Sequence, residues 1–142
     1  MDVEIKRFDK ELSLPEYKTT GAAAMDCLVR EDVSVPAKSV AMVSLNIAVK
    51  PPKGHFVFLA ARSSLHKRGL MTANAVGIGD EDYSGDQDEY KAPLYNFTDQ
   101  PVEVKRGERV VQMMILPLDR VSWREVDSLD TPDRGGFGTT GV

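Results

Sequence analysis

The stretch "SVAMVSLNIAVKPPKGHFVFLAA", Ser39–Ala61, decides the fold. Ser39–Val49 and His55–Ala61 are runs of β-branched and apolar residues, and the turn signals "PP" and "KG" at Pro51–Gly54 separate them. Neither run places its apolar residues at helical spacing. The same pattern recurs along the chain, at Val3–Phe8, Tyr90–Phe97, Val102–Val104, Arg109–Leu116 and Val121–Val126. Between these runs lie "TDQP" at Thr98–Pro101, "RG" at Arg106–Gly107 and "LD" after Pro117. Many short strands at near-regular spacing predict an all-β sandwich or barrel. Eight prolines spread through the chain would break helices almost everywhere. One short helix fits at Ser63–Arg68, "SSLHKR", with a serine as N-cap and Gly69 closing it.

A chain of 142 residues with 42% hydrophobic and 28% charged residues is one soluble domain, large enough to bury a core without staples. Its single cysteine, Cys27, rules out a disulfide framework and a thiolate metal cluster. The opening "MDVEIKRFDK" has no signal-peptide character, and no later stretch approaches a membrane span. An intracellular, cytoplasmic protein is expected, with no membrane partner. A net charge of −4 argues against a nucleic-acid polymer as partner, since such binders carry a basic face. A small anion remains open to it, because a few placed donors and a divalent cation hold one locally. The expected organisation is a β domain over residues 1–130 followed by a flexible glycine-rich arm over 131–142.

Four segments carry polar groups suited to chemistry. "GIGDEDYSGDQDEY", Gly77–Tyr90, begins like a calcium loop, but the twelfth position holds Lys91 where a bidentate Glu is needed, and the flanks read as strands. An acidic surface hairpin accounts for most of its carboxylates. Asp80 differs in following the weakly polar run "ANAVGIG", and beside Tyr83 and Gly85 it could orient or deprotonate a water. "ARSSLHKRGL", Ala61–Leu70, sets Arg62 and two serine hydroxyls at the start of the one helix, which is either a phosphate cradle or a capped helix with a solvent-facing arginine. Gln112 interrupts the apolar run of Arg106–Pro117, as an outward strand position or as a buried amide aimed at something. The tail "RGGFGTTG" lacks the lysine and following helix of a P-loop. Its inventory suits a nucleotide, with Phe137 to stack on a base and Arg134 and the threonines to reach phosphates; alone, it reads as a disordered end.

Taken in order, these segments resemble the five motifs of the trimeric dUTPase family. "AAAMDC" (Ala22–Cys27) resembles the first, "RSS" (Arg62–Ser64) the second and "NAVGIGDEDYSG" (Asn74–Gly85) the third. "GERVVQM" (Gly107–Met113) resembles the fourth and "RGGFGTTG" (Arg134–Gly141) the fifth. The resemblance spans nearly the whole chain. It implies a β jelly-roll, or β-clip barrel, assembled as a homotrimer with sites at subunit interfaces. One subunit would supply the first, second and fourth motifs, a neighbour the third, and a tail would close the site. The reaction implied is dUTP plus water giving dUMP and pyrophosphate, with Mg²⁺ held by the triphosphate.

Residue by residue, the resemblance makes Asp80 the group that activates the attacking water. It makes Asn74 the reader of the uracil edge, with hairpin backbone at Gly77, and Tyr83 the ring under the deoxyribose. Ser63, Ser64 and Gln112 match phosphate contacts, Arg62 an organiser of the site, and Asp26 a carboxylate near the metal's waters. Arg134, Phe137, Gly138 and Thr139 match the arm's phosphate and base contacts. Departures from the pattern are Ala24, Cys27 and Ala61, a longer stretch after Gly85, and a shortened last motif. Gly79 also replaces a bulky residue before Asp80, which is expected to loosen the hairpin. A related fold performs dCTP deamination, but Pro93 stands about where that chemistry needs a glutamate.

Overall fold

The computed structural model describes residues 1–138 and 141. In chain order the strands are β1 (Glu4–Arg7), β2 (Met25–Leu28), β3 (Val33–Val35), β4 (Val40–Ser44), β5 (Ile47–Lys50) and β6 (His55–Ala61). They continue as β7 (Leu70–Thr72), β8 (Val76–Gly79), β9 (Lys91–Asn96), β10 (Val102–Val104) and β11 (Arg109–Pro117). A four-stranded antiparallel sheet runs β2-β11-β6-β8, and a three-stranded one runs β4-β9-β7. The pairs β1-β5 and β3-β10 complete the all-β jelly-roll. Between the sheets lies one apolar core, with Val43, Leu45, Val57, Leu70, Leu94 and Val104 wholly buried. Each such side chain contributes about 1.5–3 kcal/mol by leaving water.

The run Ser39–Val49 is two strands rather than one. Asn46 lies between them at a φ of 67°, a left-handed corner that asparagine tolerates better than most side chains. Its amide secures the corner by accepting the Asp9 N–H at 2.6 Å and donating to the Asp9 carbonyl at 3.0 Å. β4 and β5 thereby enter different sheets.

The expected helix at Ser63–Arg68 is a single 3-10 turn over Leu65–Arg68. Ser64 takes the N-cap position but makes no side-chain cap bond, and Gly69 closes the turn at a φ of 77°. Leu65 is the turn's one buried residue, too little apolar surface to hold a longer helix against the core.

The expected strand at Val121–Val126 is not formed; among the described residues no strand follows Pro117. Alternation is present there, yet Val121 and Trp123 are 69% and 93% exposed. A strand forms only when its backbone groups find a partner, and among the described residues no strand pairs with that segment.

Candidate active site

The first cluster forms on one end of the four-stranded sheet. Cys27 faces the core, so its neighbour Asp26 projects to the opposite face of β2. There the carboxylate, 9% exposed, meets two guanidinium groups: Arg62 Nε at 2.9 Å and Arg109 Nη1 at 3.2 Å. Arg109 reaches it because β11 bulges against β2 between Arg109 and Val111, re-aiming the side chain. Gln112 pairs with Asp26 across the same strands and donates its Nε2 hydrogen to the Ala61 carbonyl at 3.1 Å. Ser63 and Ser64 stand exposed where the chain leaves β6. Two arginines against one carboxylate leave this corner positive within an acidic chain, which suits a polyanion.

Burial, with the Asp26 charge adding to it, pushes the Cys27 thiol up to about 12, so the cysteine is inert beside this site. Asp26 is saturated by its arginines. Among the described residues no group of three His, Cys, Asp or Glu side chains could hold a metal ion.

The second cluster is a cleft of about 380 Å³ lined by Asn74, Gly77, Asp80, Tyr83 and Tyr90, among others. A tight turn joins β7 to β8 and presents Asn74 on the surface. In it Ala75 adopts a φ of 61°, and its carbonyl accepts the Thr72 hydroxyl hydrogen at 2.6 Å. Beyond β8 the chain turns again, the Tyr83 N–H donating to the Asp80 carbonyl at 3.1 Å. The Asp80 side chain is exposed and makes no ion pair among the described residues. The Tyr83 hydroxyl donates to the Glu89 carbonyl at 3.1 Å, and its ring meets Tyr90 edge-on with centroids 5.3 Å apart. A ring bracketed by polar backbone and a carboxylate is a fitting seat for a nucleoside.

Gly79 does not loosen this hairpin. A Cβ there would lie 2.3 Å from the Tyr90 hydroxyl oxygen, so the tyrosine occupies the space a larger residue would fill. The longer stretch after Gly85 is equally fixed. Glu89, buried, receives Arg30 through two hydrogen bonds of 2.8 and 2.9 Å and also accepts the Asn46 N–H at 3.0 Å.

Sequence reasoning passed over Arg109, Glu89 and Tyr90. The signal for Arg109 was its place three residues before Gln112 on the strand opposite Asp26; Glu89 lay in a stretch read as surface, and Tyr90 stood where that stretch meets the strand run Tyr90–Phe97.

The two clusters do not meet within one chain. β6 and β8 pair antiparallel with Val57 opposite Gly79 and Ala60 opposite Val76. Val57 is five residues from Arg62, about 17 Å along a strand at roughly 3.3 Å per residue. Of the described tail residues none lines the cleft, and Arg134 is exposed and Phe137 fully so. Thr139 lies outside the described residues.

Fold and charge together make this a jelly-roll protein suited to a polyanionic ligand bearing a ring. The chain belongs to the dUTPase family, whose model matches residues 10–141. It is 42% identical over 144 residues to deoxyuridine 5'-triphosphate nucleotidohydrolase of Thermobifida fusca, covering 98% of this chain and 78% of that one. To the protein of that name from Dictyoglomus turgidum it is 36% identical over 147 residues, covering 99% and 98% of the two chains. A crystal structure of dUTPase from Streptococcus mutans superposes with a TM-score of 0.76 at 29% identity, covering 84% of this chain and 98% of that one.

Proposed function

We propose that this chain is a dUTP diphosphatase, hydrolysing dUTP to dUMP and pyrophosphate, and that it works as a homotrimer with each site built at a subunit interface. The observation carrying the assembly is the separation of its half-sites. The arginine-braced corner with Arg62, Ser63, Ser64 and Gln112 suits phosphates, and its carboxylate, Asp26, is taken up by the two arginines. The cleft with Asn74, Gly77, Asp80 and Tyr83 suits a nucleoside, and Lys91 is the cation in its lining, while Asp80 lies most of a strand's length from Arg62. Set against the cleft of a neighbouring copy, the corner completes one site.

In that site Asp80 accepts a proton from a water as the water's oxygen attacks the α-phosphorus. The bond from that phosphorus to the oxygen bridging to the β-phosphate breaks, and pyrophosphate departs with the electron pair. Tyr83 packs on the sugar, Asn74 and the Gly77 backbone read the base edge, and the serines, Gln112 and Arg62 hold the phosphates. Mg²⁺ belongs with the triphosphate, since among the described residues no group of carboxylates forms a site of its own, and when bound it supplies charge neutralisation. Asp26, held by both arginines, would reach the ion only through water. Residues 131–142, including Arg134, Phe137, Gly138 and Thr139, act as an arm that closes over the bound nucleotide, apart from the domain formed by 1–130.

Among the described residues no helix is long and apolar enough to cross a membrane, and an intracellular nucleotide pool is the fitting place of work. The test is pyrophosphate release from a panel of nucleotides with Mg²⁺ present. Turnover of dUTP well above dTTP, dCTP and UTP is expected, and no dUTP turnover would sink the reading. Asp80→Asn should abolish turnover while dUTP binding persists.

A further inference from the structure

Among the described residues, the buried side-chain atom left without a hydrogen-bond partner is the hydroxyl oxygen of Tyr90. The residue is 4% exposed, so bulk solvent does not reach it. An unmet buried hydroxyl is destabilising, and phenylalanine would fill the same space without that cost. The hydroxyl therefore has no structural reason to be there in the ligand-free chain.

Its position supplies one. Tyr90 forms a wall of the cleft that also holds Asn74, Gly77, Asp80 and Tyr83. Its oxygen lies against Gly79, the residue preceding Asp80, where no side chain intervenes. Beside it in the same cleft stands the Tyr83 ring, edge-on to the Tyr90 ring at an interplanar angle of 79°. Tyr83 is itself 40% exposed, and its hydroxyl is tied back through the bond to the Glu89 carbonyl.

We propose that Tyr90 is a further substrate-binding residue, whose hydroxyl hydrogen-bonds an oxygen of the nucleoside half of the nucleotide, directly or through one held water, once the ligand shifts Tyr83. This rests on the dUTP reading of the same cleft and adds a contact to it. At neutral pH the group is a donor: burial, then the nearby Tyr83 and the Asp80 charge, push its ionisation up to about 12. A protonated hydroxyl of this kind can donate to a sugar or base oxygen.

Tyr90→Phe keeps the ring and removes only the oxygen. Calorimetric titration of the full chain should show dUMP bound about 5- to 10-fold more weakly, the range of one neutral hydrogen bond. Inorganic tripolyphosphate with Mg²⁺, which probes the arginine corner alone, should bind unchanged, and the melting temperature should not fall. Unchanged dUMP affinity, or an equal loss on both ligands, overturns the assignment. A wild-type protein that takes up no dUMP and releases no pyrophosphate from dUTP overturns the underlying reading instead, an outcome distinct from a silent variant of an active enzyme.

Discussion

Arg62 and Asp80 stand at opposite ends of β6: Arg62 follows the strand's last residue, and Asp80 follows Gly79, which pairs with Val57 near its start. Neither side chain can span the intervening strand to act on one phosphate. If sites are shared between copies, two dead variants should repair each other. Arg62→Ala and Asp80→Asn are each expected to lose nearly all turnover. In a trimer reassembled from an equal mixture, random assortment places an intact Arg62 opposite an intact Asp80 in about a quarter of heterologous interfaces. Pyrophosphate release should therefore return to about that fraction of the wild-type rate. A mixture as inactive as its parts would place the whole site within one chain.

Gly79 and Tyr90 form a size-matched pair, one having given up the volume the other takes. Gly79→Ala sets a methyl 2.3 Å from the Tyr90 oxygen and 2.5 Å from its Cε1, and a rigid ring flanked by Tyr83 has little room to move. Overpacking of this kind costs about 1–3 kcal/mol. The loss should be seen in urea unfolding, and a second change, Tyr90→Leu, should recover part of it in the double variant. Additive effects of the two changes would show that the residues do not share the space.

How far the sequence carried can be traced to physical causes. His55–Ala61 and Val102–Val104 matched strands residue for residue, because an apolar alternating run bounded by glycine or proline has one compatible conformation. The corner at Asn46 was hidden inside an apolar run, since a single left-handed residue leaves periodicity on either side untouched. Val121–Val126 showed the reverse failure: its pattern is real, but strand formation depends on a partner that no local pattern specifies. In the site, the motif residues Asp26, Arg62 and Gln112 do converge. Arg109 joins them through a β-bulge, and bulges turn on register rather than on composition. Glu89 was legible only as one acid among many; its burial under Arg30 needs the fold.

Two neutral groups give this protein an alkaline limit. Cys27 is pushed up to about 12 by burial and the Asp26 charge, and Tyr90 to about 12 chiefly by burial. Both are protonated in the folded state and ionise more easily once unfolded, where their ordinary values are 9.0 and 10.0. A raised folded value contributes stability that is complete below the unfolded value and is lost as pH rises toward the folded one. Unfolding free energy should thus decline from about pH 9 upward. Cys27→Ala, which also leaves a small cavity, should lower stability at pH 7 yet flatten the decline between pH 9 and 10. An unchanged slope in that variant would assign the alkaline loss to other groups. In the same pH range iodoacetamide should leave native Cys27 untouched and label it after denaturation.

The tail offers the cleanest separation of folding from function. Of the described residues from Gly135 onward none belongs to the apolar core, and Phe137 is bare to solvent. A large aromatic left exposed at the end of a glycine-rich run is costly to solubility and useful only if something stacks on it. Glycines at positive φ, Gly135 at 78° and Gly138 at 88°, flank the ring with backbone that has no Cβ to obstruct a phosphate. Truncation before Gly135 should leave the melting temperature and oligomeric state unchanged, because none of the described residues removed belongs to the core. Turnover of dUTP should fall at least tenfold, as the ordering of the arm on the ligand no longer excludes water. Phe137→Ala in the full-length chain should reproduce part of that loss, mainly as weaker nucleotide binding, whereas undiminished turnover in the truncated protein would show that the site closes without the arm.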